Sequence, residues 1–229
     1  FSNNDVITGY MNSFFYTIAG TMINLVVTIA AAYPLSRDVM RGRGVFMGIL
    51  VFTMFFSGGM IPSYLLMKNL NLLNTRWVML LPGAMSVMNM IIARTYFQSS
   101  IPKELYDSAS LDGASDMQTL FRIVLPLSKP LIAVLTLYYA VGHWNSFFSG
   151  LLYLDSANLY PLQLVLREYL FADVISMELT NSDQFFKALA EKEVLKYSLI
   201  VVGSMPVIIM YPFIQKHFDK GIMIGSIKG

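Results

Sequence analysis

The chain has 229 residues, 55% of them hydrophobic and 13% charged, with a formal net charge of +2 and a mean hydropathy of +0.57. Soluble domains carry about a quarter charged residues, so that class is excluded and an all-α, multi-span membrane protein is expected. The absence of cysteine excludes disulfides and thiolate metal sites.

Residues 1–12 are short and polar, opening on Phe1 with no signal-peptide pattern. No charge occurs between Asp5 and Arg37, and Ser13–Leu35 is long enough to cross a bilayer core at about 1.5 Å per residue. A basic link with Arg37, Arg41 and Arg43 leads to a second span, Val45–Met67, in which Gly58, Gly59 and Pro62 predict a kink, static or acting as a gate hinge. A turn with Lys68 and Arg76 precedes a short third span from Trp77 to about Ala93, and Arg94 is expected to snorkel to the headgroups. A fourth span runs from Pro130 to about Leu154. Residues 155–196 are too charged to cross lipid and read as an extramembrane loop. Tyr197–Gln215 is a fifth span, and a basic, glycine-rich tail follows. The whole, 1–229, reads as one transmembrane domain without a second soluble unit.

Between the third and fourth spans, at about 99–129, lies a charged, two-part segment, Glu104–Pro126. Its first helix is expected from about Pro102 to Asp112, with Ser100 as a cap, Gly113 as the C-terminal stop, and Glu104, Asp107 and Asp112 outward. Ser115 and Gln118 have the spacing of a capping box for the second helix. Met117, Leu120, Phe121 and Val124 fall at i, i+3, i+4, i+7 and predict one apolar face, closed by Pro126. An acidic helix bent at a glycine onto an apolar-faced one suits docking into a cleft on another protein; an ordinary helical loop is the plainer alternative.

The segment resembles the cytoplasmic "EAA loop" of ABC-importer permeases, whose pattern is Glu-Ala-Ala, three residues, Gly, nine residues, Ile-x-Leu-Pro. Asp107-Ser108-Ala109 precede Gly113 by that spacing, and Ile123-Val124-Leu125-Pro126 follow at the right distance. Leu111–Ser115 and Arg122–Pro126 resemble the carbohydrate-uptake, maltose-permease branch. Asp107 stands where the family has Glu, so its carboxylate reaches one methylene less far, and Ser108 replaces the first Ala.

The resemblance implies a type I importer fold and a bacterial inner-membrane location. Its partners would be a second, commonly non-identical permease chain, a cytoplasmic ATPase dimer holding ATP and Mg, and an extracytoplasmic solute-binding protein. Lipid surrounds the assembly, and no nucleic-acid partner is expected. The coupling residues would be Glu104, Asp107, Ala109, Asp112, Gly113, Ile123, Leu125 and Pro126. The loop 155–196 would receive the binding protein, and Gly221–Gly229 would approach the ATPases. The cargo implied is a sugar, most simply an oligosaccharide, an acidic one included.

With the docking segment inside, the inner loops and tail hold Arg37, Arg41, Arg43, Lys103, Arg122, Lys129, Lys216, Lys220 and Lys228, whereas the short outer loops hold only Lys68 and Arg76. The positive-inside rule then places the C-terminus in the cytoplasm and the visible N-terminus outside, so a sixth, upstream span is expected. No Asp or Glu occurs in 39–103, 117–154 or 194–218. Intramembrane carboxylates serve ion and proton relays, so their absence disfavours an ion-coupled secondary carrier. The chain lacks a phosphate-binding G-x-x-x-x-G-K-[ST] loop and cannot cradle ATP. Work must come from a partner, and no enzymatic activity or cofactor of its own is expected. An intramembrane enzyme using His143 is the remaining alternative, but no nucleophile–base set or metal-ligand spacing accompanies it. His143, Trp144, Asn145 and Asn89 are candidates for the sugar path, since sugar sites stack rings on aromatics and bond hydroxyls to amides; interhelical hydrogen bonding is their alternative role.

Overall fold

A computed structural model describes residues 4–168, together with 197, 201, 203–206 and 208–209. Among the described residues there is no strand. The helices are α1 (Asn4–Ser36), α2 (Arg43–Phe55), α3 (Met60–Asn69), α4 (Val87–Ser100), α5 (Lys103–Leu111), α6 (Asp116–Thr119), α7 (Leu125–Leu127), α8 (Lys129–Trp144) and α9 (Phe147–Tyr153). Residues 162–168 are also helical. Most of the expected loop 155–196, most of the fifth span and the whole tail lie outside the described residues.

Among the described residues, by length and composition, one helix, Asp5–Ser36, is fit to cross a membrane, and up to three spans result if each sharply bent helix pair is one. α1 is the mast against which α8 and α4 pack. Its sides are inverted relative to a helix in water. Ser13, Thr17, Thr21, Asn24 and Thr28, spaced by three or four, are buried, while Met11, Ile18, Met22 and Val26 are exposed. Lipid tails are as apolar as leucine, so apolar side chains gain nothing by leaving them, and polar side chains find partners only inside.

The buried polar side chains form a seam. Thr28 Oγ1 and the Tyr139 hydroxyl are 2.6 Å apart, and the same hydroxyl accepts from the Ser86 N–H at 3.3 Å. The Asn24 carboxamide oxygen lies 2.6 Å from His143 Nε2, while its NH2 donates to the Gly83 carbonyl. Gly20 lets the histidine in: a Cβ there would sit 2.3 Å from His143 Nε2.

Three expected spans differ from the structure. The second bends at Gly58 and Gly59 as expected, but as a full break and not a kink: 56–59 are not helical, and α2 and α3 meet at 111°. Gly59 holds φ 84° and ψ −178°, a region essentially reserved for glycine, and Pro62 sits harmlessly in the first turn of α3. The third does not start as a helix at Trp77. A 3-10 turn, Arg76–Met79, and turns through residue 86 come first, and α4 begins only after Ser86, whose hydroxyl caps it, and runs on to Ser100. The Arg94 Nε donates to the Leu35 carbonyl at 3.0 Å and covers the end of α1. The fourth breaks after Trp144 and resumes as α9.

Gly20→Ala should destabilise the purified protein by about 1–3 kcal/mol, because the methyl overpacks a histidine held by Asn24. Thermal unfolding in detergent checks this, and His143→Ala in the same chain should recover most of the loss.

Candidate functional site

The docking segment is built as two capped pieces. α5 starts one residue later than the sequence suggests, with Pro102 at the N-cap position, and Ser100 makes no cap because it ends α4. At the other end Gly113 takes φ 74°. The Ala114 N–H reaches the Ala109 carbonyl at 2.9 Å and the Gly113 N–H that of Ser110 at 3.1 Å, a Schellman closure that fixes the bend. The Ser115–Gln118 capping box is present in both directions.

The expected single apolar face is split. Residues Leu120–Val124 form a π-helical turn, which slips the 3.6-residue register. Leu120 and Val124 are buried in the main core, whereas Met117 and Phe121 are exposed and line a groove of about 710 Å3 with Leu25, Val26 and Ile29 of α1. Pro126 does not close the helix: it lies inside α7, and the turn comes at Ser128, where Asp116–Leu127 and α8 meet at 83°.

Of the predicted coupling residues, Glu104, Asp107, Asp112, Gly113 and Pro126 are exposed, Ile123 and Leu125 are half-buried, and Ala109 is buried with Tyr106 on the inner face of α5. Sequence reasoning missed what braces them. Tyr106 joins a cluster with Phe97, Ile101, Leu120, Val124, Leu131 and Leu135. The Arg37 guanidinium lies 3.8 Å from the centre of its ring, a cation–π contact, and its hydroxyl is buried without a hydrogen-bond partner. Lys103 and Arg43 both pair with Asp38, Lys103 at 2.8 Å. Those bonds, from Lys103 first and Arg43 second, hold the exposed Asp38 carboxyl down at about 2 and push the Lys103 ammonium up. Tyr33 donates to the Asp116 carbonyl at 3.2 Å. Also unforeseen is Leu111, which is 89% exposed at the tip beside Asp112 and gives the acidic prong an apolar point. The available signal was an apolar residue two places before a helix-ending glycine.

The four sugar-path candidates are not brought into one pocket. Trp144 is buried against Phe14 and Tyr10, and its indole N–H donates to the Gly203 carbonyl at 2.8 Å. His143 faces Asn24. Asn145 folds its amide back onto the Val141 carbonyl of its own helix. Asn89 is half-buried in the first turn of α4, and its carboxamide bonds to nothing among the described residues. No group of three or more metal-ligating side chains occurs among the described residues.

Residues 6–224 match the family described as "Binding-protein-dependent transport system inner membrane component". The chain is 44% identical over 217 residues to Protein LplC of Bacillus subtilis (strain 168), covering 95% of this chain and 72% of that one. It is 41% identical over 229 residues to a polygalacturonan/rhamnogalacturonan transport system permease protein of the same organism, covering 100% and 79%. Among solved structures, it superposes with a TM-score of 0.83 and 36% identity on a chain of a bacterial ABC transporter that imports the acidic polysaccharide alginate, covering 95% of this chain and 76% of that chain.

Tyr106→Ala should cost about 3 kcal/mol or more by opening a cavity under α5, and Tyr106→Phe should cost far less because the ring and its packing remain. Chemical denaturation of the purified chain distinguishes the two. The Asp38 bridges should be fully present above the ordinary carboxylate value of 3.8 and lost as pH falls through about 2. The stability gap between wild type and Asp38→Asn should therefore be flat near neutrality and shrink only in that acid window.

Proposed function

Because the chain belongs to the family of binding-protein-dependent transport system inner membrane components, we propose that it is the membrane-spanning subunit of an ATP-driven importer of oligosaccharides, worked from outside itself through residues 104–126. The observation that carries this reading is the braced prong. Asp107 and Leu111 stand exposed on α5 and Asp112 at its C-cap, while Tyr106 and Ala109 on the opposite side are buried in the helical core. A partner pushing on the exposed side moves the helices through the buried one.

The partners would be a cytoplasmic ATPase dimer that carries ATP and Mg, a second permease chain and an extracytoplasmic solute-binding protein. The C-terminus would lie in the cytoplasm. The catalytic step belongs to the ATPases, and this chain supplies the passage. The cargo is an acidic oligosaccharide: the solved relative at 36% identity serves alginate, an acidic polysaccharide. The absence of carboxylates from 39–103 and 117–154 leaves nothing in those stretches to repel an anion.

The reading is tested in proteoliposomes holding the assembled transporter and its binding protein. Uptake should require ATP, and Gly113→Val should lower it about tenfold or more, since a β-branched residue at this left-handed φ costs roughly 1–3 kcal/mol and misaims the prong. Uptake by this chain on an ion gradient, with no ATPase present, would contradict it.

A further inference from the structure

We propose that the two backbone breaks, 56–59 and 80–86, together with Asn89 form a ledge on the water-filled sugar path, where backbone groups and the free carboxamide bond the hydroxyls of the passing oligosaccharide. The proposal rests on the transport reading above and names a site within it.

The argument begins with depth. From the docking end, α2 extends 13 residues before its break, and α4 extends 14 residues back to its first turn. At about 1.5 Å per residue both reach roughly 20 Å into a hydrocarbon core about 30 Å thick. Asn24, counted from Ser36 at the same end of α1, and His143, counted from Lys129 of α8, fall at nearly the same height. α2 and α1 each pack against α4, so these counts put the two breaks at comparable heights above the docking end.

Non-helical backbone at that level cannot face lipid, because nothing there bonds its N–H and C=O groups; it must face protein or water. On one side the protein is visible. Asn24 holds the Gly83 carbonyl, and Tyr139 takes the Ser86 N–H, so the seam pins the 80–86 segment from behind. The other side is open. Leu81, Pro82 and Gly83 are exposed, as are Phe56, Ser57, Gly58 and Gly59. The N–H groups of Ser57, Gly58, Gly59, Gly83 and Met85 find no acceptor among the described residues. In the first turn of α4, six residues past Gly83, Asn89 offers a carboxamide with no partner among the described residues, whereas Asn24, Thr28, Tyr139 and His143 are bonded; the other unpartnered side-chain groups at this depth, the Thr17 and Thr21 hydroxyls, are buried on α1. Unpaired donors and acceptors at membrane depth are what a hydroxyl-rich cargo requires. A cavity of water lets them persist when the cargo is absent.

The natural lack of cysteine makes a direct test available. Gly58→Cys, Gly83→Cys and Asn89→Cys each place the only cysteine of this chain on the ledge; a Cβ at Gly83 meets nothing within 4 Å, and one at Gly58 makes only ordinary contact with Pro62. Met22→Cys, on the exposed apolar side of α1, is the comparison site. In vesicles holding the assembled transporter, a charged thiol reagent should label the ledge cysteines about tenfold or more faster than Met22→Cys, as water access requires. A short polyuronate presented by the binding protein should protect Gly83→Cys and Asn89→Cys. Labelling at the comparison rate would overturn the proposal, and so would fast labelling that polyuronate leaves unchanged while it still stimulates ATP hydrolysis. Failure of polyuronate to stimulate ATP hydrolysis by the unmutated assembly would count against the transport reading instead, and the labelling contrast alone would then decide whether the ledge faces water.

Discussion

Tyr106 is the point on which the architecture turns. Its ring lies in one continuous apolar cluster with Phe97 of α4, Leu120 and Val124 of the π-helical turn, and Leu131 and Leu135 of α8. Packed interiors deform little, so a displacement of α5 is shared by everything in contact with that cluster. Arg37, stacked on the ring, adds the end of α1 to the same body. Polar bonds finish the fastening: Lys103 and Arg43 to Asp38, Arg94 to Leu35, and Tyr33 to Asp116. The prong is a projection of the helical core and not a loop attached to it.

From this cluster the connection continues upward through Tyr139, which belongs to the cluster and also meets Thr28 and Ser86. One side chain thus links the apolar base under α5 to the polar seam around the helix breaks. A bilayer rewards that division. The base needs close packing, which apolar side chains supply, whereas the irregular backbone above needs hydrogen bonds, which only side chains such as Asn24 and Tyr139 can supply away from water.

Local signals in the sequence were read well where they were complete in themselves. Gly113 as a helix stop and Ser115 with Gln118 as a capping box are short-range devices, and both stand in the structure. The acidic residues of α5 pointed outward for the same reason: a nine-residue helix has few ways to turn. Misreadings arose where distant contacts decide. A window of apolar residues looks the same whether it is one span or two helices meeting at 111°, so the break at Gly59 passed for a kink. A π-turn inserts its extra residue without changing composition, and the face predicted for Met117 through Val124 came apart. Asn24 was invisible because its partners, His143 and the Gly83 carbonyl, lie far away along the chain. The bracing of Tyr106 by Arg37 is hidden likewise, since in the sequence Arg37 is one inner-loop charge among several.

The most direct measurement is proximity in the assembled complex. Because the chain has no cysteine, Asp107→Cys gives a single reporter at the centre of the prong. Combined with cysteines placed around a surface cleft of the ATPase subunit, it should form a disulfide cross-link in native membranes, with a yield that changes when ATP is bound. If Asp107→Cys is instead labelled only from the extracytoplasmic side, or cross-links to no ATPase position in either nucleotide state, the prong is not where work enters and the account is wrong.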